Sequence, residues 1–237
     1  MEEINNRKKA KFAIALIIII VCFAVTVKIL IVKPKYINKV KANNIYIGGF
    51  EKIYPNENDP RFYIEFKEDG TFVAMQDDSR GNEEDYYEDG AIGSPSIEIY
   101  FGRYNVIKDN YMLTTTDSAG VKFSDTDAVK KKKINYYSRG IFEGDKRIAK
   151  NQGRVAEKSV ILTKNGYYVL GYMEKSGSYD RHRYYCILYN KSDIKKLPGS
   201  VEEFRKQFKM DKKVEQDRKV YGKYYRENAT TYAVFSR

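Results

Sequence analysis

Residues 61–75 read RFYIEFKEDGTFVAM. Phe62, Ile64 and Phe66 alternate with Arg61, Tyr63 and Glu65, the period of two that sends successive side chains to opposite faces of a strand. The alternation stops at Lys67 and resumes as Phe72-Val73-Ala74-Met75. Between them lies Asp69-Gly70, a pair that tolerates the positive φ of a two-residue turn, so the stretch predicts a hairpin. The same grammar returns downstream. Ser159–Thr163 and Tyr167–Met173 flank Asn165-Gly166, Ile97–Val106 and Tyr111–Thr116 join around Asp109-Asn110, and Arg183–Tyr189 reads as a further strand. Helical periodicity is nearly absent from Ile45 to Asn190. Many short strands separated by turn signals predict a mostly-β domain, an antiparallel barrel or sandwich.

The pattern changes at Pro198-Gly199. Ser200-Val201-Glu202-Glu203 is a capping box, in which Ser200 accepts from the Glu203 amide and the Glu203 carboxylate reaches back. Val201, Phe204 and Phe208 then share a helical face, predicting one C-terminal helix from Ser200 to at least Met210, near 200–217. Val220–Tyr225 and Thr230–Phe235 read as a closing hairpin.

Toward the N-terminus, residues 12–32 read FAIALIIIIVCFAVTVKILIV, with Lys28 as the one charge. As a helix these residues span about 31 Å, enough for the hydrocarbon core of a bilayer. The reading is a cytoplasmic tail over 1–11, a transmembrane signal anchor over 12–32, a basic linker over 33–44 and an extracytoplasmic β-rich domain over 45–237. A cleaved signal peptide is the rival. It is disfavoured because no small-x-small cleavage site follows the apolar core. Basic residues flank both ends of the span, so the charge rule does not set its orientation. The short N-terminal tail favours export of the bulk of the chain.

The net charge is +11, unevenly placed. Residues 36–129 carry nine basic and eighteen acidic side chains, a net of −9, whereas 130–237 carry twenty-seven and twelve, a net of +15. Such polarity either serves recognition or lets the halves attract one another. Cys22 and Cys186 are the two cysteines, so no disulfide framework and no Cys-rich zinc motif is present.

Gly49-Phe50, then Phe66-x-x-Asp69-Gly70-Thr71-Phe72, then Gly102-x-Tyr104 and Tyr111-x-Leu113-Thr114 follow a loose order. Residues 48–116 thereby resemble the opening of bacterial lipocalin-like (calycin) β-domains. The tryptophan usual at the start of that pattern has no counterpart, as the chain contains no Trp. The resemblance implies a β-barrel and an alternative role as carrier of a small apolar ligand. It assigns no binding residue.

Catalytic chemistry finds little footing in the sequence. His182 is the single histidine, between Asp180, Arg181 and Arg183 in a charged turn, and an exposed loop residue is the simpler account. The acidic run Asp77–Asp89 lacks EF-hand spacing and reads as a solvated loop. No phosphate-cradling glycine loop precedes a helix. No cofactor, metal or nucleic acid is expected.

Tyrosine carries the stronger signal, with twenty-two in the chain and the pairs Tyr136-Tyr137, Tyr167-Tyr168, Tyr184-Tyr185 and Tyr224-Tyr225. In a strand each pair sends one ring away from the core, and outward rings beside Lys and Arg suit recognition. The candidate binding surface is therefore Lys130, Lys131, Lys132, Lys133, Tyr136, Tyr137, Tyr184 and Tyr185. The function expected is non-enzymatic: a membrane-tethered binding protein of a bacterial envelope, with a protein or an anionic envelope polymer as partner. One concrete form is an immunity-type protein that intercepts a toxin. The alternatives are the ligand carrier and an envelope enzyme without a recognisable motif.

Overall fold

A computed structural model describes residues 14–21, 23, 33–50, 52–86, 93–143, 146–147, 158–173 and 178–212. The chain divides into two compact units, residues 1–35 and 36–237. In the first, residues 14–21 and 23 are helical with every side chain exposed, Ile17, Ile19 and Phe23 among them. Among the described residues no helix is long and apolar enough to cross a membrane. The remainder of the 12–32 stretch lies outside the described residues, as does the hairpin expected over 220–235.

The second unit is built on eight antiparallel strands closed into a ring. They are β1 (Ile45–Gly49), β2 (Arg61–Phe66), β3 (Thr71–Asp78), β4 (Ser96–Ile107), β5 (Asn110–Lys122), β9 (Lys158–Lys164), β10 (Tyr167–Met173) and β11 (Tyr179–Tyr189). Each pairs with the next in this order, and β11 returns to β1, so the barrel has no free edge. Between β5 and β9 the chain inserts a helix, Thr126–Lys130, and the strands β6 (Lys133–Ile134), β7 (Tyr136–Glu143) and β8 (Lys146–Arg147).

The insertion is possible because β5 divides its pairing. Tyr111–Thr114 lie against β9, whereas Asp117–Lys122 lie against β7. The switch sits at a bulge, where Phe101 faces Asp117, Gly102 faces Thr115, and Thr116 is the extra residue. Gly102 is required there, since a Cβ would fall 2.1 Å from the Thr114 carbonyl oxygen.

The hairpins were legible, their turns less so. Asn165 and Gly166 hold φ of +50 and +80 between paired Lys164 and Tyr167, the expected two-residue turn. The turn between β4 and β5 is Lys108-Asp109, one residue earlier than expected, with φ of +49 and +65. The loop after β2 spans four residues, and only Gly70 has positive φ, +82. Asp69 instead accepts from the Thr71 amide and hydroxyl at 3.0 and 2.6 Å, and Lys67 N–H bonds the Thr71 carbonyl. Nothing lies within 4 Å of a Cβ built on Gly70, so Gly70→Val meets backbone strain alone. It is expected to lower stability by about 1–3 kcal/mol, and an unchanged denaturant midpoint would refute the turn assignment.

Alternate residues of the same strands enter two separate buried sets. The first holds Tyr46, Ile64, Phe66, Phe72, Leu113, Ile161, Tyr168, Leu170, Cys186 and Leu188. This set faces the lumen. Phe66 on β2 stacks on Tyr111 on β5 at 4.7 Å, three strands away around the ring, and Tyr111 meets Tyr168 on β10 at 5.8 Å. Burial pushes the Tyr111 hydroxyl up to about 12, and Tyr168, Tyr104 and Tyr46, the last on the diametrically opposite β1, add smaller upward contributions. Residues 36–37 join this wall, because Ile37 bonds the backbones of Leu188 and Tyr168 and buries its side chain in the same set.

The second set, Ile47, Tyr63, Val73, Ile99, Val121, Val160 and Val169 among others, covers the opposite strand faces. It is shared with residues from outside the ring: Phe123, Ala128, Ile134, Leu197, Val201, Phe204 and Phe208. This explains why β2 is buried at all six positions.

Two helical readings need correction. The C-terminal helix spans only Val201–Lys206, because Lys209 N–H bonds the Lys132 carbonyl and draws Lys209–Met210 into a parallel strand, β12, beside β6. Ser200 does accept from the Glu203 amide at 3.1 Å, but the Glu203 carboxylate returns to the Gly199 N–H at 2.7 Å. The Thr126–Lys130 helix was not foreseen. Its visible signal is Asp125, whose carboxylate accepts from the Ala128 amide at 2.7 Å.

Candidate interaction surface

The basic run begins inside that short helix. Lys130 and Lys131 sit at its C-terminal end, where positive charge favours the carbonyl end of the helix dipole, and both reach Asp127, at 3.4 and 3.9 Å. Lys132 turns the chain with φ of +53. Lys133 opens β6, directly opposite Lys209 on β12. Tyr136 follows on β7 at 37% exposure. Tyr137 points the other way, packs on the second core and lies under the Arg205 guanidinium at 5.2 Å. The fold therefore keeps Lys130 to Lys133 and Tyr136 together and turns Tyr137 inward.

Tyr184 and Tyr185 belong to a different place. On β11, Tyr184 carries Lys52 and Lys164 over its ring at 4.7 and 4.5 Å, and Tyr185 is 44% exposed on the other face. No described contact joins them to the lysine run. The same alternation places Tyr168 in the lumen and Tyr167 outside against Tyr36, as paired tyrosines in strands require.

A third feature escaped the sequence reading. The Asp193 carboxylate, after β11, accepts from Arg61 Nη1 at 2.8 Å, Arg80 Nη1 at 3.1 Å and the Tyr63 hydroxyl at 2.8 Å. Arg61 is 4% exposed and also donates to the carbonyls of Asn56, Glu57 and Asp59. Arg80 adds the Asp77 carboxylate at 2.8 Å. Burial opposes the charge on Asp193, but Tyr63, Arg80 and Arg61 together outweigh it and hold its carboxyl below the usual range. Tyr63 is driven the other way, chiefly by burial. Every polar group of this network already has a protein partner, so it fastens the 190–197 segment to β2 and β3. Among the described residues, the ion pairs of Arg61 and Arg80 with Asp193, of Lys130 and Lys131 with Asp127, and of Arg139 with Asp117 link the acidic half to the basic half.

Beside it runs an open cleft of about 530 Å³, lined by Asp77, Ser79, Arg80 and Glu83 on one side and Thr126 and Lys130 on the other. The described part of the acidic loop, residues 77–86, bonds to itself. Asp77 accepts from the Ser79 amide and hydroxyl, Asp85 from the Asn82 amide, and Tyr86, pushed up to about 12 by burial, bonds Gly81 and Asp78. Among the described residues no three His, Cys, Asp or Glu side chains converge to hold a metal. His182 is exposed on β11. The Cys186 thiol is fully enclosed, and burial pushes it up to about 12, the reverse of an activated nucleophile.

The architecture is an eight-strand antiparallel β-barrel, compatible with the lipocalin-like resemblance. No protein-family model matches this chain, and no curated protein sequence does.

Proposed function

We propose that this protein is a membrane-tethered binding module that acts outside the cytoplasm through the outer surface of its barrel. The observation that carries the reading is the filled lumen. Phe66, Tyr104, Tyr111 and Tyr168 touch one another across it, with ring centroids 4.7–5.8 Å apart, in the space a carrier would keep for its ligand. The surface, by contrast, presents lysines beside an exposed tyrosine. Tethering draws support from the helical run over 14–21 and 23, whose isoleucines are exposed on every side, an arrangement that water disfavours and lipid accommodates.

Two measurements test this. A fluorescent fatty acid titrated into the protein is expected to show no saturable one-to-one binding; such binding would restore the carrier. Protease added to intact protoplasts is expected to digest the 36–237 unit and spare the N-terminus. Protection until lysis would reverse the orientation and remove the extracytoplasmic role.

A further inference from the structure

We propose that the lysine cluster formed where β6 meets β12 binds a flexible phosphodiester polymer built of sugar-phosphate or glycerol-phosphate units. The inference rests on the contact reading above and names the partner's chemistry. Lys133 and Lys209 are register partners in a parallel pair, so their backbones run about 4.8 Å apart and their side chains leave on the same side, both exposed. Like charges placed directly opposite across strands destabilise the pairing. Lys132 adjoins them, its carbonyl accepting the Lys209 amide at 2.9 Å, and Lys206 follows from the end of the Val201–Lys206 helix. Among the described residues no carboxylate pairs with Lys132, Lys133, Lys206 or Lys209. The Asp127 carboxylate shared by Lys130 and Lys131 is 70% exposed, where attraction is strongly screened. A fold that gathers this much positive charge and, among the described residues, sets so little against it gains from an external polyanion.

Composition selects among polyanions. The cluster is all lysine, and two described arginines, Arg139 and Arg205, are engaged elsewhere: Arg139 grips Asp117 and Glu202, while Arg205 donates to the Phe208 carbonyl and covers Tyr137. An acidic protein surface is read best by free guanidinium forks and a buried aromatic anchor. Ammonium groups are point charges without a fixed fork, suited to phosphates spaced along a mobile chain. Binding then draws mainly on counterion release, with a steep salt dependence.

The test is a titration of the full chain in detergent micelles with poly(glycerol phosphate), beside poly-glutamate and a single-stranded oligonucleotide of matched charge. With about four ammonium groups engaged, affinity for the glycerol-phosphate chain is expected to fall about fifty-fold between 50 and 200 mM salt. Lys209→Glu is expected to weaken binding about tenfold while raising the thermal midpoint by about 1–3 °C, because it turns a like-charge pair into an opposite pair. Those opposite signs separate a lost contact from a lost fold. Tighter binding of poly-glutamate would hand the site to an acidic protein, and of the oligonucleotide to nucleic acid; either overturns the proposal. So does an affinity that Lys209→Glu leaves unchanged. None of these results touches lumen exclusion or protease access, so the contact reading stands or falls separately.

Discussion

Asp193→Ala is expected to lower stability by about 3 kcal/mol, close to the largest effect available from one side chain outside the apolar core. Truncating one partner of a buried ion pair costs about 3–5 kcal/mol because the other charge stays behind without compensation. Here Arg61 would remain 4% exposed, while Asp193 keeps 31% exposure, which places the effect at the lower end. Chemical denaturation checks it. The double change Arg61→Met with Asp193→Leu should recover much of the loss, since apolar replacement of a whole buried pair is often nearly neutral. If the single variant is as stable as the parent, the 190–197 segment is held by its apolar contacts at Leu197 and Ile194 instead.

The same carboxylate gives a signed pH dependence. Its folded-state pKa is depressed, so its contribution is present above the ordinary aspartate range and is lost as pH falls through the folded value. Stability of the parent should therefore decline on acidification below about pH 4, and Asp193→Asn should flatten part of that decline.

Phe66→Ala should cost more, about 3–5 kcal/mol, from lost burial plus the cavity left behind. Phe66 is 1% exposed and contacts Tyr104 at 5.1 Å and Tyr111 at 4.7 Å. Tyr104 is tied by its hydroxyl to the Lys67 carbonyl at 2.9 Å, which limits collapse into the space. A dry apolar cavity in a protein takes up small apolar solutes. Benzene or indole should thus raise the melting midpoint of Phe66→Ala and leave the parent unaffected. A response from the parent would mean that its lumen is already open, and the carrier reading would return.

The strands and their turns were readable because they depend on local chemistry. Phe62, Ile64 and Phe66 alternate with period two, and Asn165-Gly166 satisfies the φ of a tight turn with no help from distant residues. The direction of paired tyrosines also follows from strand geometry alone. The Gly70 loop was placed correctly but misread in type, since the Asp69 side chain competes for the Thr71 amide and leaves only one residue in the left-handed region. The Val201–Lys206 helix was read too long for a comparable reason. Its cap is local, but its end is imposed by the carbonyl of Lys132, seventy-odd positions earlier.

What the sequence by itself determined is the mostly-β class, three of its hairpins, the helix start at Ser200 and the uneven charge. Each needs only neighbours within a few residues. Closure of the ring, the division of β5 between β9 and β7, and the Arg61–Asp193–Tyr63–Arg80 network were decided by tertiary structure. So was the meeting of Lys209 with Lys133. Those contacts join residues far apart in the chain, and their free energy depends on burial and register, which side-chain types along one segment do not encode.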